Sequence, residues 1–264
     1  MERAPIDAER LQASLAKRWA RVTIVDETDS TNTDLLADTQ APDRSVLVAE
    51  HQAAGRGRLD RTWTSPPRAG LTVSALFHPP VTLARWGWLP LLAGVAVHDA
   101  VRAATGVETV LKWPNDVLVA GNPDLGGKLA GILAQTAGDA VVIGIGINVS
   151  TTADELPNAD ATSLALAGAA DVDRTALLRA LLGTLDARFA QWADCDGDAA
   201  ACGLADSYQQ ACSTLGRPVR VWLGGPEPIT GDAAGIDELG RLVVRTADGS
   251  RVVGAGDVEH VRTS

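Results

Sequence analysis

The sequence predicts an α+β fold: a mixed, mostly antiparallel sheet with helices over residues 1–215, then a small β-barrel or sandwich over 216–264. Three observations predict it. Successive apolar runs are joined by turns too short for the crossover helices of a doubly wound sheet. Helical periodicity is confined to a few well-separated segments. After Gly216 the chain changes to short runs of alternating polar and apolar residues between Gly/Asp turns, as in a small all-β unit.

Taken in order, Asp7–Ala20 carries Leu11, Leu15 and Trp19 at a spacing of four and reads as a short amphipathic helix. Val22–Val25 reads as a strand. Asp29-Ser30-Thr31-Asn32 supplies N-cap residues for a helix through Ala37. Ser45–Glu50 is an apolar strand, and Ala53–Arg68 is a loop without periodicity, rich in Gly, Arg and Pro. Gly70–Phe77 returns to a strand. Leu83–Ala104 reads as one helix that Pro90 interrupts or restarts. Glu108–Trp113 and Val117–Val119 are strands about a Pro114-Asn115-Asp116 turn. Asn122–Gly127 is a hairpin loop between Val119 and the two most apolar strands, Lys128–Gln135 and Ala140–Asn148. Helices follow at Arg174–Trp192 and Ala199–Ala211. The last segment gives strands at Arg217–Leu223, Glu227–Ile236, Arg241–Thr246 and Arg251–Val253.

Composition narrows the class. The 264 residues are 46% hydrophobic and 21% charged, the balance of a soluble globular protein. The longest strongly apolar stretches, around Leu89–Val97 and Ala140–Ile147, are too short to cross a bilayer. Residues 1–19 have scattered charges and no apolar core of a secretory signal. Cys195, Cys202 and Cys212 form neither a disulfide framework nor a metal-ligand spacing, which suits free thiols in the cytoplasm. A net charge of −10 argues against a nucleic-acid coat, yet leaves room for a local basic pocket.

Such a pocket is written into the first of four segments. Between His51 and Arg68, Arg56, Arg58, Arg61 and Arg68 face one acid, Asp60, a local charge of +3. The Gly55-Arg56-Gly57-Arg58 run combines close backbone approach with guanidinium forks that pair with carboxylate or phosphate. A solvated surface loop would have the same composition. Second, Lys112-Trp113-Pro114-Asn115-Asp116 gathers a cation, an aromatic, an amide and a carboxylate. Lys112 suits a phosphate, and Asp116 a magnesium ion or an amine, against a simple self-bonded turn. Third, Lys128 stands in an apolar strand among Gly126, Gly127 and Gly131, where an unpaired lysine is costly unless it meets an anion. The phosphate-loop spacing GxxxxGK[ST] is absent. Fourth, in Gly144-Ile145-Gly146-Ile147-Asn148 the glycines suggest close strand packing, and Asn148 is placed to reach a nucleotide. The four histidines form no zinc motif, and no G-x-S-x-G elbow occurs.

In order and spacing, these segments resemble the biotin protein ligase (holocarboxylase synthetase) family. The match also takes in Ala49-Glu50-His51-Gln52, Trp63, Leu215-Gly216-Arg217-Pro218-Val219, Gly235-Ile236-Asp237 and Gly240, and runs from about residue 22 to 262. The resemblance implies a catalytic domain like the class II aminoacyl-tRNA synthetases, with helices on one side of the sheet, and then an SH3-like barrel. It implies ATP and biotin as substrates, with Mg2+, to make biotinoyl-5′-AMP. Biotin would then pass to one lysine of the biotin carboxyl carrier domain of a carboxylase. By motif, Ser30, Thr31, Asn32 and Gln52 would bind the ureido ring, with Gly131 beside them. Arg56, Gly57 and Arg58 would close over biotin and the adenylate, and Lys128 would contact the biotin carboxylate or acyl phosphate. Arg58, Trp63, Lys112, Asn115, Asp116 and Asn148 would serve ATP and the adenylate, with Asp116 toward magnesium. Lys128, Arg56, Arg58, Lys112 and Asp116 would carry the chemistry.

Leu59 and Asp60 depart from the pattern, standing where many members have a basic residue and a glycine. Only about twenty residues precede the catalytic segment, too few for a helix-turn-helix, so a ligase without DNA binding, as monomer or homodimer, is expected. A lipoate or octanoate ligase, or a non-enzymatic biotin-binding module, are the alternatives. The Ser30-Thr31-Asn32 polar set argues against the first, and the nucleotide residues against the second.

Overall fold

A computed structural model describes residues 3–59, 61–121 and 127–261 and divides the strands between two sheets. The first has seven strands: β1 (Arg21–Thr28), β2 (Ser45–Gln52), β3 (Gly70–Phe77), β4 (Thr109–Lys112), β5 (Asp116–Val119), β6 (Lys128–Ala137) and β7 (Ala140–Asn148). Their order is β1-β2-β3-β7-β6-β5-β4, and only β1 and β2 run parallel. β1 outruns the predicted Val22–Val25 because its edge pairing with β2 continues to Gln52.

Helices α1 (Ala8–Leu15), α3 (Leu89–Thr105), α4 (Arg174–Asp194) and α5 (Leu204–Ala211) share one core with the sheet, led by Leu11, Leu92, Leu181 and Tyr208. Pro90 lies in the first turn of α3, where its missing N–H costs nothing, so residues 83–88 form a separate 3₁₀ turn. Asp7 and Asp173 cap α1 and α4 through Arg10 N and Ala176 N. Residues 199–203, expected to be helical, are turns, and Gly203 with φ 72° starts α5 late. The expectation of helices on one side is corrected by α2 (Thr31–Ala37). Its Leu35 packs with Leu47, Leu76 and Val142, side chains that alternate with those facing the main core.

The second sheet contains β8 (Pro218–Trp222), β9 (Ile229–Ile236), β10 (Leu242–Thr246), β11 (Gly249–Val253) and β12 (Asp257–His260). They pair antiparallel in the order β11-β10-β9-β8-β12; β12 was not anticipated from sequence. Trp88 Nε1 donates to Glu238 O at 2.9 Å and Trp113 Nε1 to Gly240 O at 3.2 Å, seating this sheet on the first. At Gly240 the φ of 80° and the approach to Gly87 leave no room for a side chain.

The amino-terminal segment is tied to β2, β3 and α4 through one buried ion pair. Arg174 pairs with Glu50 at 2.7 Å and donates to Gly70 O and Ala4 O, while Glu50 accepts from Ile6 N. Both charges are buried, and this density of partners is what makes such a pair tolerable. Among the described residues no helix is long and apolar enough to cross a membrane.

Candidate active site

Between α2, the Gly55–Trp63 loop, the turn from β4 to β5 and β12 lies a cavity of about 700 Å³, within the usual range for a small-molecule site. Ser30, Thr31, Asn32, Gln52, Arg56, Gly57, Arg58, Trp63, Lys112, Asn115, Asp116, Lys128, Gly131 and Asn148 all line it. Residues spread over more than a hundred positions thus converge on one space.

At its polar end, Ser30 caps α2 by accepting from Thr33 N at 3.4 Å. This turns the first residues of the helix onto the sheet, where Ser30, Thr31 and Asn32 are nearly inaccessible. Gln52 Oε1 accepts from Thr31 N at 2.8 Å and Thr31 Oγ1 at 3.0 Å. The Asn32 amide lies over Gly144, where an added Cβ would come within 2.8 Å of its Cγ. Gly146 does the same for Trp63, whose Nε1 would be 2.6 Å from a Cβ there, and Gly131, the cross-strand partner of Gly146, supports the same indole. The glycines are therefore floor space for side chains above the sheet, not devices for close strand packing.

The cationic half is built around the loop. Trp63 N donates to Gly55 O at 2.8 Å and Gly57 N to Arg61 O at 2.6 Å, folding the loop into a narrow hairpin. Leu59, at φ 53°, takes the left-handed corner where a glycine is favoured; Asp60 lies outside the described residues. Arg58 donates to Asn115 Oδ1 at 2.9 Å and approaches Gly256 O at 3.4 Å, and Arg61 pairs with Asp257. Burial pulls the Arg58 pKa down, while Asp257 and Asp116 oppose that fall. Asn115 also donates to Ile132 O at 3.1 Å, so it is not the self-bonded turn residue its neighbours suggested.

Lys128 is the first residue of β6 and a third exposed, rather than enclosed in an apolar strand. Its Nζ pairs with Asp116 Oδ1 at 2.7 Å and lies 5.9 Å from the Trp63 ring centre. Lys128 N is held by Asp160 O at 2.8 Å. The loop expected at 122–127, with Gly126, lies outside the described residues except for Gly127. Asn148 is buried and donates to Thr162 O at 2.9 Å. Arg56 and Lys112 have no carboxylate partner among the described residues, which leaves two cations for an incoming anion. Five cations (Arg56, Arg58, Arg61, Lys112, Lys128) against four acids (Asp116, Asp160, Asp257, Glu259) give the lining a net +1 in a chain of −10. Among the described residues, no three His, Cys, Asp or Glu side chains gather as a metal site.

Sequence reading missed the segments 157–161 and 257–260 of this lining. Neither carries a residue pattern of its own. The first is placed by main-chain bonds to the start of β6, and the second by pairing with β8.

Residues 22–150 match the biotin/lipoate A/B protein ligase family model, and 214–261 the biotin protein ligase C-terminal domain model. The biotin–[acetyl-CoA-carboxylase] ligase of Mycobacterium tuberculosis is 42% identical over 98% of this chain and 97% of its own length. The chain belongs to the biotin/lipoate A/B protein ligase family. The bifunctional ligase/repressor of Bacillus spizizenii is 34% identical over 85% of this chain and 68% of its own. Biotin protein ligase from Aquifex aeolicus, solved with biotin and ATP, superposes with a TM-score of 0.76 at 28% identity, over 93% of this chain and all of that one. With these relatives the fold is that of a biotin protein ligase, and the carboxy-terminal sheet is the one its C-terminal family model describes.

Proposed function

We propose that the chain is an ATP-dependent biotin ligase that makes biotinoyl-5′-AMP and transfers biotin to a lysine of the carrier domain of acetyl-CoA carboxylase. The observation that carries the reading is full-length similarity to a ligase of that name, together with a single cavity holding a polar end and a cationic end. The carrier comes from the names of relatives, and the cytoplasm is the proposed setting. Residues 1–215 form the catalytic domain and 216–264 the small β domain.

Each site residue takes a role that its place supports. Ser30, Thr31, Asn32 and Gln52 meet the ureido ring, with Gly131 and Trp63 bounding the channel onward. In the first step the biotin carboxylate attacks the α-phosphate of ATP and pyrophosphate leaves. Like-charge repulsion is the obstacle, and Arg56, Arg58, Lys112 and Lys128 offset it at the atoms where charge builds. Asn115 holds Arg58, and Asn148 serves the nucleotide end. Magnesium brought by the nucleotide would supply phosphate charge neutralisation, and Asp116, which pairs with Lys128, would be its one protein ligand. In the second step the carrier amine attacks the acyl carbon, AMP leaves, and Asp116 orients the amine. The Gly55–Trp63 loop keeps water from the acyl phosphate in between.

Exchange of labelled pyrophosphate into ATP tests the first step. Biotin supports exchange; lipoate and octanoate do not. Exchange with lipoate or octanoate alone assigns the chain to that branch of the family, and silence with all three acids overturns the reading.

A further inference from the structure

Behind the polar end of the cavity, two residues that do not line it hold Asn32 and Thr31. Ser74 on β3 is completely buried, and its Oγ lies 2.6 Å from Asn32 Oδ1 and 2.7 Å from Thr31 Oγ1. Gln135 on β6 accepts from Asn32 Nδ2 at 2.9 Å, and the same nitrogen donates to Leu133 O at 3.1 Å. Ser74 and Leu133 both stand opposite Gly144 in the sheet, so the Asn32 amide bridges β3 and β6 across the bare strand between them.

Proton counting makes this arrangement directional. A main-chain carbonyl only accepts, so Leu133 O fixes which end of the Asn32 amide is nitrogen. Asn32 Oδ1 then requires a donor, and the one hydroxyl proton of Ser74 is committed to it. Ser74 Oγ can therefore only accept from Thr31. Gln52 Oε1 likewise only accepts, because it already takes the Thr31 N–H. The Thr31 hydroxyl is then the only source of a proton between it and Ser74 Oγ at 2.7 Å, so that proton points into the protein and a lone pair is left for the cavity. Ser30 Oγ, which accepts from Thr33 N, keeps its proton free, as does Gln52 Nε2. The polar end thus shows acceptor and donors in a fixed order, the complement of a cyclic urea with its N–H and C=O.

We infer that Ser74 and Gln135 are positioning residues that set this donor–acceptor order and with it the preference for a ureido ring. The inference rests on the biotin reading above. It is tested by calorimetric titration of biotin and of 2-iminobiotin, in which the urea oxygen is replaced by an imino group, with the KM for ATP measured in parallel. Ser74→Ala weakens biotin about tenfold, the usual cost of stranding one buried polar group. It also narrows the preference for biotin over 2-iminobiotin and leaves the KM for ATP unchanged. Gln135→Met, near in size but without the acceptor, weakens biotin severalfold, and Gln135→Glu, which can still accept, recovers it. These Gln135 variants decide the matter if Ser74→Ala does not fold. Equal losses for both ligands, a matching rise in the KM for ATP, or wild-type affinity in Gln135→Met overturns the inference while biotin still binds the parent chain. A parent chain that binds no biotin removes the functional reading and this inference with it.

Discussion

At one end of the cavity each hydrogen-bonding atom of the Asn32 amide is satisfied by the sheet or by a side chain rooted in it. At the other, Arg56 stands exposed and Arg58 is held by a side chain at the β4–β5 turn and the carbonyl of Gly256, just before β12. The first end is buried and bonded before any ligand arrives. The second is a polar loop tied to the second sheet by a 3.4 Å approach to Gly256 O and by the exposed Arg61–Asp257 ion pair, a kind of pair that contributes about 0–1 kcal/mol. On the proposed reading, choosing the acid falls to the end built into the sheet, and holding the reactive intermediate to the end built on a loop.

The largest effect comes from the cation between the two ends. Lys128→Ala should lower biotin-dependent pyrophosphate exchange on the order of 10²–10³-fold. Its melting temperature should stay near that of the parent, because the side chain is partly exposed; full exchange would remove Lys128 from the chemistry. Gly144→Val strikes the rigid end. Its side chain meets Asn32 and should destabilise the fold by about 1–3 kcal/mol, with a disproportionate loss of biotin affinity in calorimetry. Unaltered biotin binding would mean that Asn32 does not need its place on the sheet. Arg58→Gly strikes the loop end and should spare exchange more than retention. Released biotinoyl-AMP, followed by chromatography, should rise severalfold, and unchanged release would make the loop a tether only.

The smallest effect lies beside the cavity wall. Arg3 holds Glu155 down to about 2, chiefly through its hydrogen bond, with Thr152 N assisting. A depressed carboxylate stabilises the fold above its unfolded pKa, and that contribution is lost as pH falls toward 2. In Arg3→Ala the Glu155 titration, read by NMR, should move up toward the ordinary carboxylate range. The stability gap to the parent should close in acid, and biotin affinity should not change.

The contrast between the two ends also explains what was legible in the sequence. Ser30, Gln52, Arg56, Lys112 and Lys128 stand in short runs whose chemistry is local, and all reach the cavity. The two functions of Gly144 and Gly146 were not legible, because they depend on Asn32 and Trp63 arriving from elsewhere. Asp160 and Asp257 were missed since main-chain pairing places them, and such pairing leaves no mark on residue type. The side of the sheet taken by α2 was likewise misjudged. Its few apolar residues, Leu35 and Leu36, fit either face, and burial of Thr31 and Asn32 against the sheet decides it.

Arg58 and the carbonyl of Gly256 that it approaches are 198 residues apart. On a ribosome working at about 5–20 residues per second, the arginine waits roughly 10–40 s for that partner to be made. Once Ser74, Leu133, Gln135 and Gly144 have been made, the rest of that interval leaves the nascent chain with the side chains of the polar end and without the segment before β12. On the proposed reading, the capacity to retain an activated acyl group therefore arrives last in the life of each molecule, after the residues that select the acid have been made.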